Sequence, residues 1–108
     1  MDDLLQSIGA LYDPTRLRIL AFLDRYGPAC VCDLESAFQM AQPRLSRHLK
    51  ILREAGYLEV SREGRRAYYA ISQNLREFAK AALTEVRTRI TDLPEPHSEE
   101  VIHHCGVS

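Results

Sequence analysis

Two groups of residues in this chain are equipped for chemistry. Cys30 and Cys32 stand in Cys30-Val31-Cys32-Asp33-Leu34, ahead of a short stretch with helical apolar spacing. Free first-turn N–H groups and the helix dipole favour negative charge at such an entrance, which makes both sulfurs better nucleophiles and better soft-metal ligands. Side chains two residues apart in a regular helix point about 200° away from each other. Two thiols at that spacing cannot hold one ion until the first turn opens.

The second group lies just downstream. If Leu45, Leu49 and Leu52 form the buried row of a helix beginning near Gln42-Pro43, then Gln42, Arg44, Ser46, Arg47, Lys50 and Arg53 face outward. Glutamine bonds adenine edges, arginine forks onto guanine, and serine bonds bases or phosphate; Lys50 and Arg53, further from the helix start, suit phosphate. His48 borders the apolar row, so it reads as either a packing residue or a base reader. Arg62, Arg65 and Arg66 form a second basic cluster suited to the DNA backbone or a minor groove.

The charge distribution supports that reading better than the total does. The 108 residues carry a net charge of −1, but residues 41–66 hold seven basic against three acidic side chains, a local +4 in a chain that is otherwise −5. A basic block in an acidic chain is the footprint of a phosphate-binding face.

These residues need elements to hold them. Leu4, Leu5, Ile8, Leu11 and Tyr12 recur at helical spacing over residues 2–12, and Asp13-Pro14 supplies a capped start for a second helix that is apolar on nearly all sides and stops at Gly27-Pro28. A third helix is expected over residues 31–38, burying Leu34, Ala37 and Phe38, and the fourth ends at Gly56. Two helices joined by three or four residues fit a helix-turn-helix. Residues 57–62 and 65–71, rich in β-branched and aromatic types, flank Glu63-Gly64 and read as a hairpin with a basic tip. Helical spacing returns over residues 74–91 with Leu75, Phe78, Ala79, Ala82, Leu83, Val86 and Ile90.

The expected fold class is therefore mainly α with a small β-hairpin: a winged helix-turn-helix with extra N- and C-terminal helices forming a dimer interface. Residues 1–91 form the DNA-binding and dimerisation domain and residues 92–108 an irregular C-terminal tail. The terminal helices carry apolar stripes too broad for one small core. Pairing them across a two-fold axis buries the stripes and sets two reading heads about 34 Å apart. The chain is too short for two cores. It has no apolar run long enough to span a bilayer and no positive leader at Met1-Asp2-Asp3, so a cytoplasmic protein without membrane contact is expected. Three cysteines in a reducing compartment favour free thiols or soft-metal ligands over disulfides. A thiol enzyme is disfavoured, because the spacing is CxC and the βαβ setting of thioredoxin-like enzymes is missing.

Asp13-Pro14-Thr15-Arg16, the Cys30–Leu34 segment, Gln42-Pro43-Arg44-Leu45-Ser46-Arg47-His48-Leu49 and the tyrosine-bearing wing together resemble the ArsR/SmtB family of metalloregulatory repressors over nearly all of residues 2–91. The resemblance implies a homodimer that binds double-stranded operator DNA when metal-free and leaves it when an inducer binds, with no catalytic function. The cysteine segment resembles the branch answering arsenite and antimonite, and also the cadmium/lead branch. The latter adds cysteines from an N-terminal extension; none precedes Cys30, so As(III) or Sb(III) is the expected inducer.

One departure concerns the third ligand. Repressors of the arsenic branch often carry another cysteine where this chain has Glu35, and a hard carboxylate is a poor partner for soft trivalent arsenic. The third position falls to Cys105, a small thiol or hydroxide. His97, His103 and His104 invite a nickel or zinc reading, but the last helix lacks the acid-and-histidine pairs of the family's zinc sites. A thiol-redox or persulfide sensor, or a Cd/Pb/Zn-responsive repressor, on the same fold is the alternative.

Overall fold

The computed structural model describes residues 1–96, and its elements in chain order are α1 (Asp2–Leu11), α2 (Pro14–Tyr26), β1 (Ala29–Cys30), α3 (Val31–Phe38), α4 (Gln42–Glu54), β2 (Leu58–Glu63), β3 (Arg66–Ile71) and α5 (Glu77–Arg89). Cys105, His97, His103 and His104 lie outside the described residues. Asp13 starts α2 as its residue type suggests, with Oδ2 accepting from the Arg16 N–H at 3.0 Å and Pro14 in the first turn, where no donor is needed. Gly27 ends that helix at φ +86°, a value that costs a residue without Cβ little.

The core is a single layer of aliphatic and aromatic side chains around α2. Phe22, Ile19, Leu20 and Leu23 from α2 meet Leu34 of α3, Leu45, Leu49 and Leu52 of α4, and Tyr57 just beyond it, all fully buried. The apolar row expected on α4 is thus its buried row, which leaves the polar residues of that helix outside. Gln39, in the left-handed conformation at φ +50°, closes α3 and turns the chain into α4.

The wing is more than a hairpin. β1, only two residues long, pairs antiparallel with β3, giving a three-stranded sheet in the order β1-β3-β2. Strands β2 and β3 pair through Glu63↔Arg66, so the connecting residues are Gly64-Arg65, one later than the sequence suggests. The last helix is also shorter than its apolar spacing. Ser72 Oγ accepts from the Asn74 N–H at 3.1 Å, a local bond that competes with helix, and Leu75 packs on the core ahead of α5. Beyond α5, Arg18 donates to the Asp92 carbonyl at 3.3 Å and Leu93 rests against the core, drawing the chain back to α2.

Leu4, Leu5 and Ile8 on α1 remain 45–58% exposed, and Phe78 on α5 is 41% exposed, while Ala79, Leu83 and Val86 of α5 are buried in the core of the same chain. No helix among the described residues is long and apolar enough to cross a membrane.

Candidate nucleic-acid interface and thiol pair

Helix α4 presents Gln42, Arg44, Arg47, Lys50 and Arg53 to solvent, with Ser46 half-buried among them. Gln42 Nε2 donates to Ser46 Oγ at 2.9 Å, so the two small polar groups nearest the helix start are arranged together on one face. Arg62 and Arg65 on the wing are exposed; Arg66 is half-buried, and its Nη1 donates to the Tyr68 hydroxyl at 3.1 Å. The two basic clusters singled out by composition therefore sit on α4 and on the β2–β3 hairpin.

His48 is neither a free base reader nor a simple core residue. Its side chain is 12% exposed, and Nδ1 lies 3.3 Å from Arg16 Nη1 and 3.9 Å from Asp13 Oδ2. A guanidinium only donates, so Nδ1 accepts, and the imidazole is the neutral tautomer with its proton on Nε2. Burial lowers the His48 pKa below its usual 6.5; Asp13 pulls the other way, and Arg16, Arg44 and Arg47 reinforce the lowering. Arg16 also donates from Nε to the Ala10 carbonyl at 2.7 Å and from Nη2 to the Gly9 carbonyl at 3.3 Å. One side chain of α2 thus closes the C-terminus of α1 and touches the middle of α4. Tyr57, buried just beyond α4, makes a second link by donating its hydroxyl proton to the Ser7 carbonyl at 3.1 Å.

The two thiols occupy different settings. Cys30 is the last residue of β1 and the N-cap of α3, extended at φ −83°, ψ 168° and 3% exposed, whereas Cys32 lies within the first turn and is exposed. Because Cys30 stands one residue outside the helix, the helical-spacing argument does not describe the pair; burial separates the two sulfurs. Cys30 and Asp33 form a capping box, with the Cys30 N–H donating to Asp33 Oδ2 at 3.1 Å. Asp33 Oδ1 is buried without a hydrogen-bond partner among the described residues. No group of three or more His, Cys, Asp or Glu among the described residues is arranged to hold a metal ion.

Sequence reasoning passed over three parts of this arrangement. Arg16 appeared only as the end of the Asp13–Arg16 motif, Tyr68 only as one of the wing tyrosines, and β1 not at all. The motif was the one available signal for Arg16, since it sets that arginine in the first turn of α2, beside the end of α1.

Comparison with known proteins agrees with this geometry. A family model described as "Bacterial regulatory protein, arsR family" matches residues 13–60. The "Arsenical resistance operon repressor" of Escherichia coli (strain K12) is 38% identical over 81 residues, 75% of this chain and 69% of that protein. The "Arsenic resistance transcriptional regulator ArsR1" of Pseudomonas putida is 41% identical over 76 residues, 70% of this chain and 59% of that protein, so this chain spans less than two thirds of that relative's length. Among solved structures, reduced HlyU from Vibrio cholerae N16961 superposes with a TM-score of 0.69 and 26% identity, covering 83% of this chain and 92% of that one.

Proposed function

Because this chain belongs to the arsR family of bacterial regulatory proteins, it is a DNA-binding transcriptional regulator with a winged helix fold, and we propose that it is a homodimeric repressor released from its operator by arsenite or antimonite. The observation that carries the reading is the position of Cys30 and Cys32 at the β1–α3 junction, directly ahead of the basic helix α4. The names of the relatives from E. coli and P. putida support arsenic as the inducer.

In the metal-free dimer, α4 enters the major groove with Gln42, Arg44, Ser46 and Arg47 toward base edges and Lys50 toward phosphate. Arg62, Arg65 and Arg66 hold the flanking backbone. The exposed stripe of α1, with Phe78 of α5, pairs across the two-fold axis, which spaces the two copies of α4 by one helical turn of DNA, ~34 Å.

Each arsenic–sulfur bond replaces a hydroxyl of arsenous acid, which leaves as water with the thiol proton. Cys30 is buried and pinned in its capping position, so it shares a guest with exposed Cys32 only by leaving that position. Doing so opens the capping box at Asp33 and the β1–β3 pairing, both of which set the angle of α3 and thereby of α4. Moving a repressor from 99% to 1% binding-competent takes about 5.5 kcal/mol of differential affinity, a demand that metal–thiolate bonding meets. Cys105, a small thiol or hydroxide completes the coordination.

The test uses a duplex selected from a random pool by the metal-free protein. Fluorescence anisotropy of that duplex is titrated with As(III), Sb(III), Cd(II), Zn(II) and peroxide. Arsenite and antimonite acting first support the reading, and Cys32→Ser abolishes their effect while retaining DNA binding. Release by peroxide with no arsenite response establishes a thiol-redox sensor in its place, and cadmium acting first establishes the cadmium branch.

A further inference from the structure

The sheet places three chemically different groups in a line. Cys30 on β1 is paired with Tyr68 on β3, and directly opposed residues of an antiparallel pair project from the same face, with Cβ atoms roughly 5 Å apart. Arg66 stands two residues before Tyr68 on the same strand and so shares that face, whereas Tyr69 and Ile71, at the alternate positions, turn into the main core. The Tyr68 ring packs on Cys30 in a small contact separate from the main core, and its hydroxyl accepts from Arg66 Nη1 at 3.1 Å.

We infer that Tyr68 is a positioning residue that passes the state of the Cys30 sulfur to the wing, with its ring resting on the thiol and its hydroxyl aiming the Arg66 guanidinium at DNA phosphate. The inference rests on the proposed role of Cys30 as an inducer ligand and adds a second route to it. While the thiol stays in its capping position, the ring is supported, the hydroxyl holds one N–H of Arg66, and the guanidinium is fixed beside the Gly64-Arg65 turn. When Cys30 moves to share a guest with Cys32, the ring loses its support and Arg66 loses this hydrogen bond. The wing is therefore released together with α4.

A tyrosine that merely filled space on the sheet would leave the wing indifferent to the inducer. The difference is measurable, because each phosphate contact contributes about −0.9 to the slope of log K against log[salt]. In the wild type, arsenite makes that slope shallower by roughly one such contact per protomer beyond any loss at α4.

The experiment compares wild type, Tyr68→Phe, Arg66→Gln and the double variant. Arsenite binding without DNA is read from the near-ultraviolet sulfur-to-arsenic absorption, and affinity for the selected duplex is read with and without arsenite at several salt concentrations. Tyr68→Phe is expected to bind arsenite with the wild-type midpoint, to start from a shallower metal-free salt slope, and to show an arsenite-induced loss of affinity smaller than wild type by ~2–30-fold. Arg66→Gln is expected to match it, and the double variant to add nothing further, because both substitutions break one chain of contacts. A Tyr68→Phe protein that binds arsenite and keeps the full wild-type loss of affinity and slope overturns the inference while leaving the proposed function standing. A wild-type protein with no arsenite absorption overturns the proposed function itself.

Discussion

Arg16 Nη1 lies 3.3 Å from His48 Nδ1, while Nε of the same guanidinium holds the Ala10 carbonyl at 2.7 Å. The helix whose apolar face stands exposed and the helix that carries the basic residues are thus bridged by one side chain of a third. In the proposed dimer, a change in how α1 pairs with a second copy has a path to α4 through this contact and through the Tyr57–Ser7 bond.

Arg16→Ala removes a C-terminal partner from α1 and the donor to His48. The expected cost is about 1.5–3 kcal/mol, the range for hydrogen bonds made by a charged group, read as a lower urea midpoint with unchanged m-value. Arg16→Lys is expected to recover less than half of that, because an ammonium cannot reproduce the planar fork that reaches two carbonyls and an imidazole. Full recovery by lysine would show that charge alone matters there.

The lowered pKa of His48 gives stability a defined dependence on pH. As pH falls below 6.5 the unfolded chain takes up this proton before the folded one, so stability is fully present above 6.5 and declines as pH drops toward the lowered native value. Urea unfolding between pH 7.5 and 5 is expected to show this decline in the wild type and a flatter profile in His48→Gln. Parallel profiles for the two proteins would remove His48 from the account.

The two basic clusters are expected to fail differently. Arg47→Ala loses a base contact worth about 1–3 kcal/mol and relaxes sequence preference. Arg65→Ala weakens all duplexes alike and reduces the salt slope by about 1. Salt titrations against matched and scrambled duplexes separate the two behaviours, and identical responses would contradict the assignment.

Leu5, 58% exposed on α1, tests the proposed pairing of protomers. Burying such a side chain contributes about 1.5–3 kcal/mol, and an isologous interface counts it twice. Leu5→Glu is therefore expected to raise the dimer dissociation constant by roughly 10²-fold or more in sedimentation equilibrium, with operator affinity falling in step. An undisturbed dimer would place the interface on another face.

Much of the fold was legible because its signals are long. The i, i+4, i+7 spacing of Leu45, Leu49 and Leu52, the Asp13-Pro14 start and Gly56 after α4 each state a local preference that tertiary packing reinforces. β1 was illegible because two residues, Ala29 and Cys30, cannot display a period; only pairing with β3 makes them a strand. The start of α5 is not legible, because Leu75 fits the helical spacing yet packs from the turn that Ser72 creates. Of the candidate site, the outward residues of α4 follow from removing its apolar row. The separate fates of Cys30 and Cys32, and the ties of Arg16 and Tyr68, depend on contacts between residues distant in sequence, which no single stretch encodes.

Cys30 belongs at once to a strand and to a helix, as the final rung of one and the opening stitch of the other. A tug on that seam cannot stay local: the flap and the inserted rod are sewn to the same thread, so loosening either loosens both. A substitution at this position therefore alters the architecture along with whatever chemistry the thiol performs.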